Sequence, residues 1–265
     1  MNPLLNFLVS TMLLAIPAGL FLRLLRDVVR RDAPLFPKPS ETPRQPIFAT
    51  LAIVVWLTVT LLNKLVAESP SPAVASLRSI QVQCGVQVFI AALFTALLTD
   101  GGRRPLRDCG IFRERLDRQI LLGILAFFAA VGPTGILLIL SQWWRTVETQ
   151  HALLQTLQRD FSIEIAVWIV MSAAIAAPLT EELLFRVTLQ GWLSERFSGP
   201  AAIGVTAVVF ALIHGWRDAL PLLPLSLILG YVFHQTRSYW ACVTTHALFN
   251  GTFLVLALMT GNDSA

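Results

Sequence analysis

Apolar runs of about twenty residues alternate along this chain with short polar linkers. Such a run reads as a membrane-crossing helix, because about twenty residues at ~1.5 Å each cover a ~30 Å hydrocarbon core. The first lies at roughly Pro3 to Leu22, followed by Ile47 to Val66, Ile80 to Thr99 and Ile120 to Ser141. Pro133 is a tolerated kink in the fourth, and Trp143-Trp144 at its end supply the amphipathic rings of an interface. From Phe161 the helical pattern continues to about Phe197, roughly 55 Å at ~1.5 Å per residue, which predicts one long helix bent near Pro178. A Ser198-Gly199-Pro200 turn precedes three more spans, about Ala201 to Gly215, Ala219 to His234 and Tyr239 to Met259. The predicted fold is all-α, a polytopic integral membrane helix bundle of about eight transmembrane helices.

Composition narrows this further. With 55% hydrophobic and 14% charged residues and a mean hydropathy of +0.67, an ordinary soluble domain is excluded. The formal net charge of +4 does not point to nucleic acid, because the basic residues gather in linkers beside apolar runs. One cluster is Arg23, Arg26, Arg30, Arg31, Lys38 and Arg44, and another is Arg103, Arg104, Arg107, Arg113, Arg115 and Arg118. With both termini outside, fourteen Lys and Arg fall on the cytoplasmic side against five on the other, which favours this orientation over its inverse. The first span lacks the basic start of a secretory signal and has its basic cluster after it, so a retained helix is expected. Cys84, Cys109 and Cys242 are far apart with no CxxC spacing, the pattern of buried small residues. The expected organisation is four N-terminal spans within 1–159, the chemistry-bearing helices at 160–259, and a short tail at 260–265.

Against this apolar background three polar clusters stand out. Glu181, Glu182 and Arg186 are isolated among Ala, Ile, Val, Leu and Phe. At membrane depth each ionised group costs at least ~2.5–3.5 kcal/mol, so a functional site is the default hypothesis. The bland reading is a surface turn with a Glu182–Arg186 pair at i,i+4, worth only ~0.3–0.5 kcal/mol. His214 follows Phe210 by four positions, and Asn250 follows His246 by four, so the latter pair shares a helix face. Folding the chain into a hairpin about the turn at 198–200 makes positions 181 and 214 equidistant from its centre, so Glu181, or Glu182, meets His214 at one depth. The three glutamines of the third span, Gln81, Gln83 and Gln87, are expected to bond to neighbouring helices.

Three motifs carry a family resemblance: Glu181-Glu182-Leu-Leu-Phe-Arg186, Phe210 to His214, and His246 to Asn250. In that order, on separate spans within about 70 residues, they resemble the CPBP family of intramembrane proteases, which includes the type II CAAX prenyl endopeptidases and bacteriocin-processing or immunity proteins. The resemblance covers roughly residues 160–259, and Val187 stands where many relatives have glycine. It implies peptide-bond hydrolysis inside the membrane, with Glu181 and His214 activating water, His246 and Asn250 stabilising the oxyanion, and Glu182 and Arg186 orienting Glu181. The family has also been regarded as metal-dependent, and Glu181, His214 and His246 could hold Zn²⁺ with an open fourth position. The sequence leans towards a glutamate mechanism without metal, because no further carboxylate stands beside either histidine on its own span to anchor it.

The partners implied are a membrane-associated peptide or protein substrate and the lipid bilayer, without nucleic acid. The location is multi-pass in a membrane, the cell inner membrane for a bacterial source, with the site opening to the cytoplasmic half. A non-hydrolytic immunity factor or carrier, using the polar cluster for binding or proton coupling, is the alternative.

Overall fold

A computed structural model describes residues 17, 19, 20, 23, 45–66, 75–141, 156 and 162–261. Most of the expected first span, most of the first basic linker and most of the tail lie outside the described residues. So do Trp143-Trp144. The described residues form helices and turns without a strand. In chain order the helices are α1 (Ile47–Val66), α2 (Leu77–Leu98), α3 (Leu116–Leu140), α4 (Ile163–Ser194), α5 (Gly199–Ile213), α6 (Trp216–Thr236) and α7 (Tyr239–Gly261). All seven coincide within a few residues with the apolar runs of the sequence.

Four helices, α2, α3, α4 and the part of α6 from Asp218, are long and apolar enough to cross a membrane. Their outward faces support that reading. Phe89 on α2 is 67% exposed and Val82 and Val88 are exposed beside it, while buried positions include small or polar residues such as Ala129, Thr134 and Ser172. An apolar exterior around a partly polar interior suits a bundle solvated by lipid. This is a helical membrane protein.

The centre of the bundle is α4. Every residue from Leu183 to Gln190 is buried, so this stretch is enclosed on all sides. Helices α1, α2, α5 and α7 pack around it, α7 also lies along α3, and α6 lies along α5 and α3. Small residues permit the closest approach. A Cβ added at Gly123 on α3 would lie 2.6 Å from Thr244 Cβ and 2.7 Å from Ala241 O on α7. The same glycine's carbonyl accepts a hydrogen bond from Thr245 Oγ1 at 2.9 Å, which fixes the two helices in register.

Helix α4 is not a regular α-helix. Two π-helical stretches, Val170–Ala176 and Leu183–Gln190, flank the α-helical turn Ala177–Glu182. Pro178 explains part of the first. Proline has no N–H to donate, and the preceding amide of Ala177 reaches back five residues to Ser172 O, so the carbonyl of Ala173 is left without a main-chain donor. The bend predicted near Pro178 therefore takes the form of a local change of register.

Candidate active site

The two glutamates sit on the α-helical turn between these π-helical stretches and turn to different partners. Glu182 and Arg186 have no accessible side-chain surface and pair at 3.0 Å between Oε2 and Nε, the i,i+4 contact expected from the sequence. Arg186 Nη2 donates to Ser226 Oγ of α6 at 3.1 Å, and its guanidinium lies 5.1 Å from the centre of the Phe210 ring. The other oxygen, Glu182 Oε1, lies 2.7 Å from His246 Nδ1. This corrects one element of the sequence reading. A carboxylate does anchor a histidine, and it comes from α4 rather than from the histidine's own span.

His214 ends α5, where Gly215 with φ +106° turns the chain towards α6. Its Nδ1 lies 2.7 Å from Phe210 O. A carbonyl can only accept, so this nitrogen carries the hydrogen and Nε2 is the acceptor in the neutral ring. The same argument holds for neutral His246, whose Nδ1 faces an ionised, arginine-paired carboxylate. The two Nε2 atoms approach one point: His214 Nε2 is 3.6 Å and His246 Nε2 3.8 Å from Glu181 Oε2. That oxygen is buried and has no hydrogen-bond partner among the described residues. Phe210 forms the wall between this cluster and Arg186, its ring 4.6 Å from that of His214 and 5.8 Å from that of His246.

Asn250, one turn beyond His246, donates from Nδ2 to Ala173 O at 2.8 Å. This is the carbonyl left without a main-chain donor by Pro178. The π-helical stretch and the asparagine are thus one device, in which an orphaned main-chain group locks α7 to α4. One Nδ2 hydrogen is consumed by it and one remains. Glu181, His214, His246 and Asn250 all line a cavity of about 270 Å³, with Gln87 and Thr134 reaching it from α2 and α3.

All six residues singled out in the sequence are therefore brought together. Ser226 and Phe210 complete the surroundings of Arg186, and Ser226 was legible only as a lone hydroxyl in an apolar run. The donor types of Glu181, His214 and His246 suit zinc. Bonds of ~2.0–2.2 Å in a tetrahedron place ligand atoms roughly 3.3–3.6 Å apart, and the separations from Glu181 Oε2 to the two imidazoles are 3.6 and 3.8 Å. Among the described residues no group of three or more His, Cys, Asp or Glu closes into a metal site.

Residues 163–252 match the family model of Rce1-like type II CAAX prenyl endopeptidases. A Bacillus subtilis (strain 168) protein named "Putative membrane peptidase YdiL" is 24% identical over 149 residues, covering 54% of this chain and 58% of that protein. The match thus spans a little over half of either chain. No solved structure matches. The matched segment contains Glu181, Glu182, Arg186, His214, His246 and Asn250, so the resemblance to the Rce1-like, type II CAAX prenyl endopeptidases falls on the helices that build this site.

Proposed function

We propose that the protein is an endopeptidase that hydrolyses a peptide bond of a membrane-associated substrate with a water activated by Glu181. The observation that carries this reading is the buried Glu181 Oε2, which has no hydrogen bond of ordinary length among the described residues and faces two imidazole Nε2 atoms at 3.6 and 3.8 Å over the cavity. A water there gives one proton to the Glu181 carboxylate as its oxygen attacks the scissile carbonyl carbon. His214 Nε2 accepts the water's second hydrogen and orients it. The carbon–nitrogen bond then breaks, and Glu181 returns its proton to the departing amine.

The oxyanion needs donors, and this reading gives that part to His246 and Asn250. Because Nδ1 is committed to Glu182, His246 offers Nε2–H only as an imidazolium. The remaining Nδ2 hydrogen of Asn250 is the second donor. No step passes through a metal.

Glu181→Gln keeps the shape and removes the base, so hydrolysis of membrane-tethered peptides by the purified variant should be abolished with expression unchanged. Equal activity in this variant would refute the assignment. Elemental analysis should find no stoichiometric zinc. One zinc per chain, with activity lost on its removal and restored by adding it back, would make Glu181 a ligand or metal-assisted base.

A further inference from the structure

The matched segment ends at the catalytic cluster, but the cavity does not. It extends along α2 to Gln83 and Gln87 and across to Thr134 on α3, residues outside the segment shared with the family. These side chains are unusual for their setting. Thr134 is 1% exposed, lines the cavity and has no partner for Oγ1 among the described residues. Gln87 accepts from Ser172 Oγ through Oε1 at 3.2 Å, as expected for a glutamine that bonds to a neighbouring helix, and its Nε2 hydrogens are left for another acceptor. Gln83, one turn away, is exposed beside Val82 and Val86 on a helix fit to cross the membrane. The cavity therefore reaches the lipid-facing surface at an amide.

The position of this amide pair relative to the chemistry is fixed. Gln87 O accepts from Thr180 Oγ1 at 2.9 Å, so Gln87 stands beside the residue preceding Glu181. The spacing between the glutamines is also informative. Residues i and i+4 of a helix are separated by ~6 Å along its axis, close to the ~6.7 Å between alternate residues of an extended chain. Two such amides can thus meet every second peptide group of an extended segment lying along α2. A segment drawn from the bilayer must give up its internal hydrogen bonds to expose a scissile bond, and in hydrocarbon no water replaces them.

We propose that Gln83, Gln87 and Thr134 form a track that binds the main chain of an extended substrate segment entering sideways from the bilayer. The track selects for segments that unwind and is indifferent to their side chains. It supplies the substrate mode of the endopeptidase reading and rests on that reading for its purpose, but binding can be tested without hydrolysis.

The test uses full-length protein carrying Glu181→Gln, in detergent, with two fluorescent Lys-flanked Leu/Ala peptides long enough to span a membrane. One has a central Gly-Pro break and the other is unbroken. Fluorescence anisotropy should show at least tenfold tighter binding of the broken peptide. That preference should vanish in Gln83→Leu/Gln87→Leu and weaken several-fold in Thr134→Val, with thermal unfolding unchanged. Amide-to-ester replacement at alternate positions of the broken peptide should weaken binding to the parent and leave binding to the double variant unaltered. Equal binding of the two peptides, an undiminished preference in the double variant, or no binding of either peptide overturns the track. Selective binding without hydrolysis by the wild-type protein leaves the track standing and removes the endopeptidase reading instead.

Discussion

Arg186 has no accessible surface, yet it is a cation in the middle of a membrane helix, and its tolerance depends on three neighbours: Glu182, Ser226 and the face of Phe210. Removing one partner of a buried pair leaves the other charge uncompensated, typically at a cost of ~3–5 kcal/mol. Arg186→Leu should therefore lower the thermal unfolding temperature in detergent sharply and reduce expression. A variant as stable as the wild type would mean that Glu182 finds another counter-charge. Asn250 differs, because under the proposed mechanism its one amide has a second part besides the bond to Ala173 O. In Asn250→Ala the rate should fall about 10²- to 10³-fold, as for one oxyanion donor. Stability should fall by ~1–3 kcal/mol as well, because Ala173 O loses its donor. An unchanged rate with lowered stability would assign Asn250 to the helix lock alone.

At the scale of elements, the site is as good as the registers of α3, α4 and α7. His246 is one residue beyond Thr245, whose hydroxyl donates to Gly123 O, and Gly123 admits no Cβ against Thr244 and Ala241. Gly123→Val should force α3 and α7 apart, with an overpacking cost of ~1–3 kcal/mol, and move His246 relative to Glu182. Loss of hydrolysis at a temperature where the variant is still folded by circular dichroism would show that displacement, whereas full activity would mean the helices relax without carrying the imidazole. Here the limits of the sequence are also physical. Helix boundaries and the meeting of Glu181 with His214 follow from hydropathy and from the symmetry of a hairpin, both one-dimensional quantities. The two π-helical stretches of α4 do not, since the change of register is settled by packing against the surrounding helices, and Pro178 was the one local sign of it. With that register unknown, neither the bond from Glu182 to His246 nor that from Asn250 to Ala173 could be derived, and the histidine anchor was missed.

For the molecule as a whole, the arrangement of charge predicts which side each linker faces. The linker between α2 and α3 carries six arginines, among them Arg103, whose side chain is 84% exposed, and such a cluster is retained in the cytoplasm. A cysteine is better placed at Arg103 than at nearby Gly101, whose φ of +64° resists a side chain. The native thiols should contribute little background. Cys84, Cys109 and Cys242 are all buried, and for Cys109, in the same linker, burial pushes the thiol's pKa up. Asp108 adds to this rise, and Arg104 and Arg237 oppose it without reversing it. A raised value means less thiolate at neutral pH, hence slow reaction with maleimide. In sealed membranes, cysteines replacing Pro37 and Arg103 should be labelled only from the cytoplasmic side, and those replacing Pro70 and Ser264 only from the opposite side. With four spans between positions 103 and 264 the two ends would lie on one side, and with five they lie on opposite sides. The runs after residue 103 number five: those of α3, α4, α5, α6 and α7. Labelling of position 264 from the cytoplasm alone would therefore mean that one of these helices does not cross, with the fifteen-residue α5 the first suspect at about 22 Å for ~1.5 Å per residue.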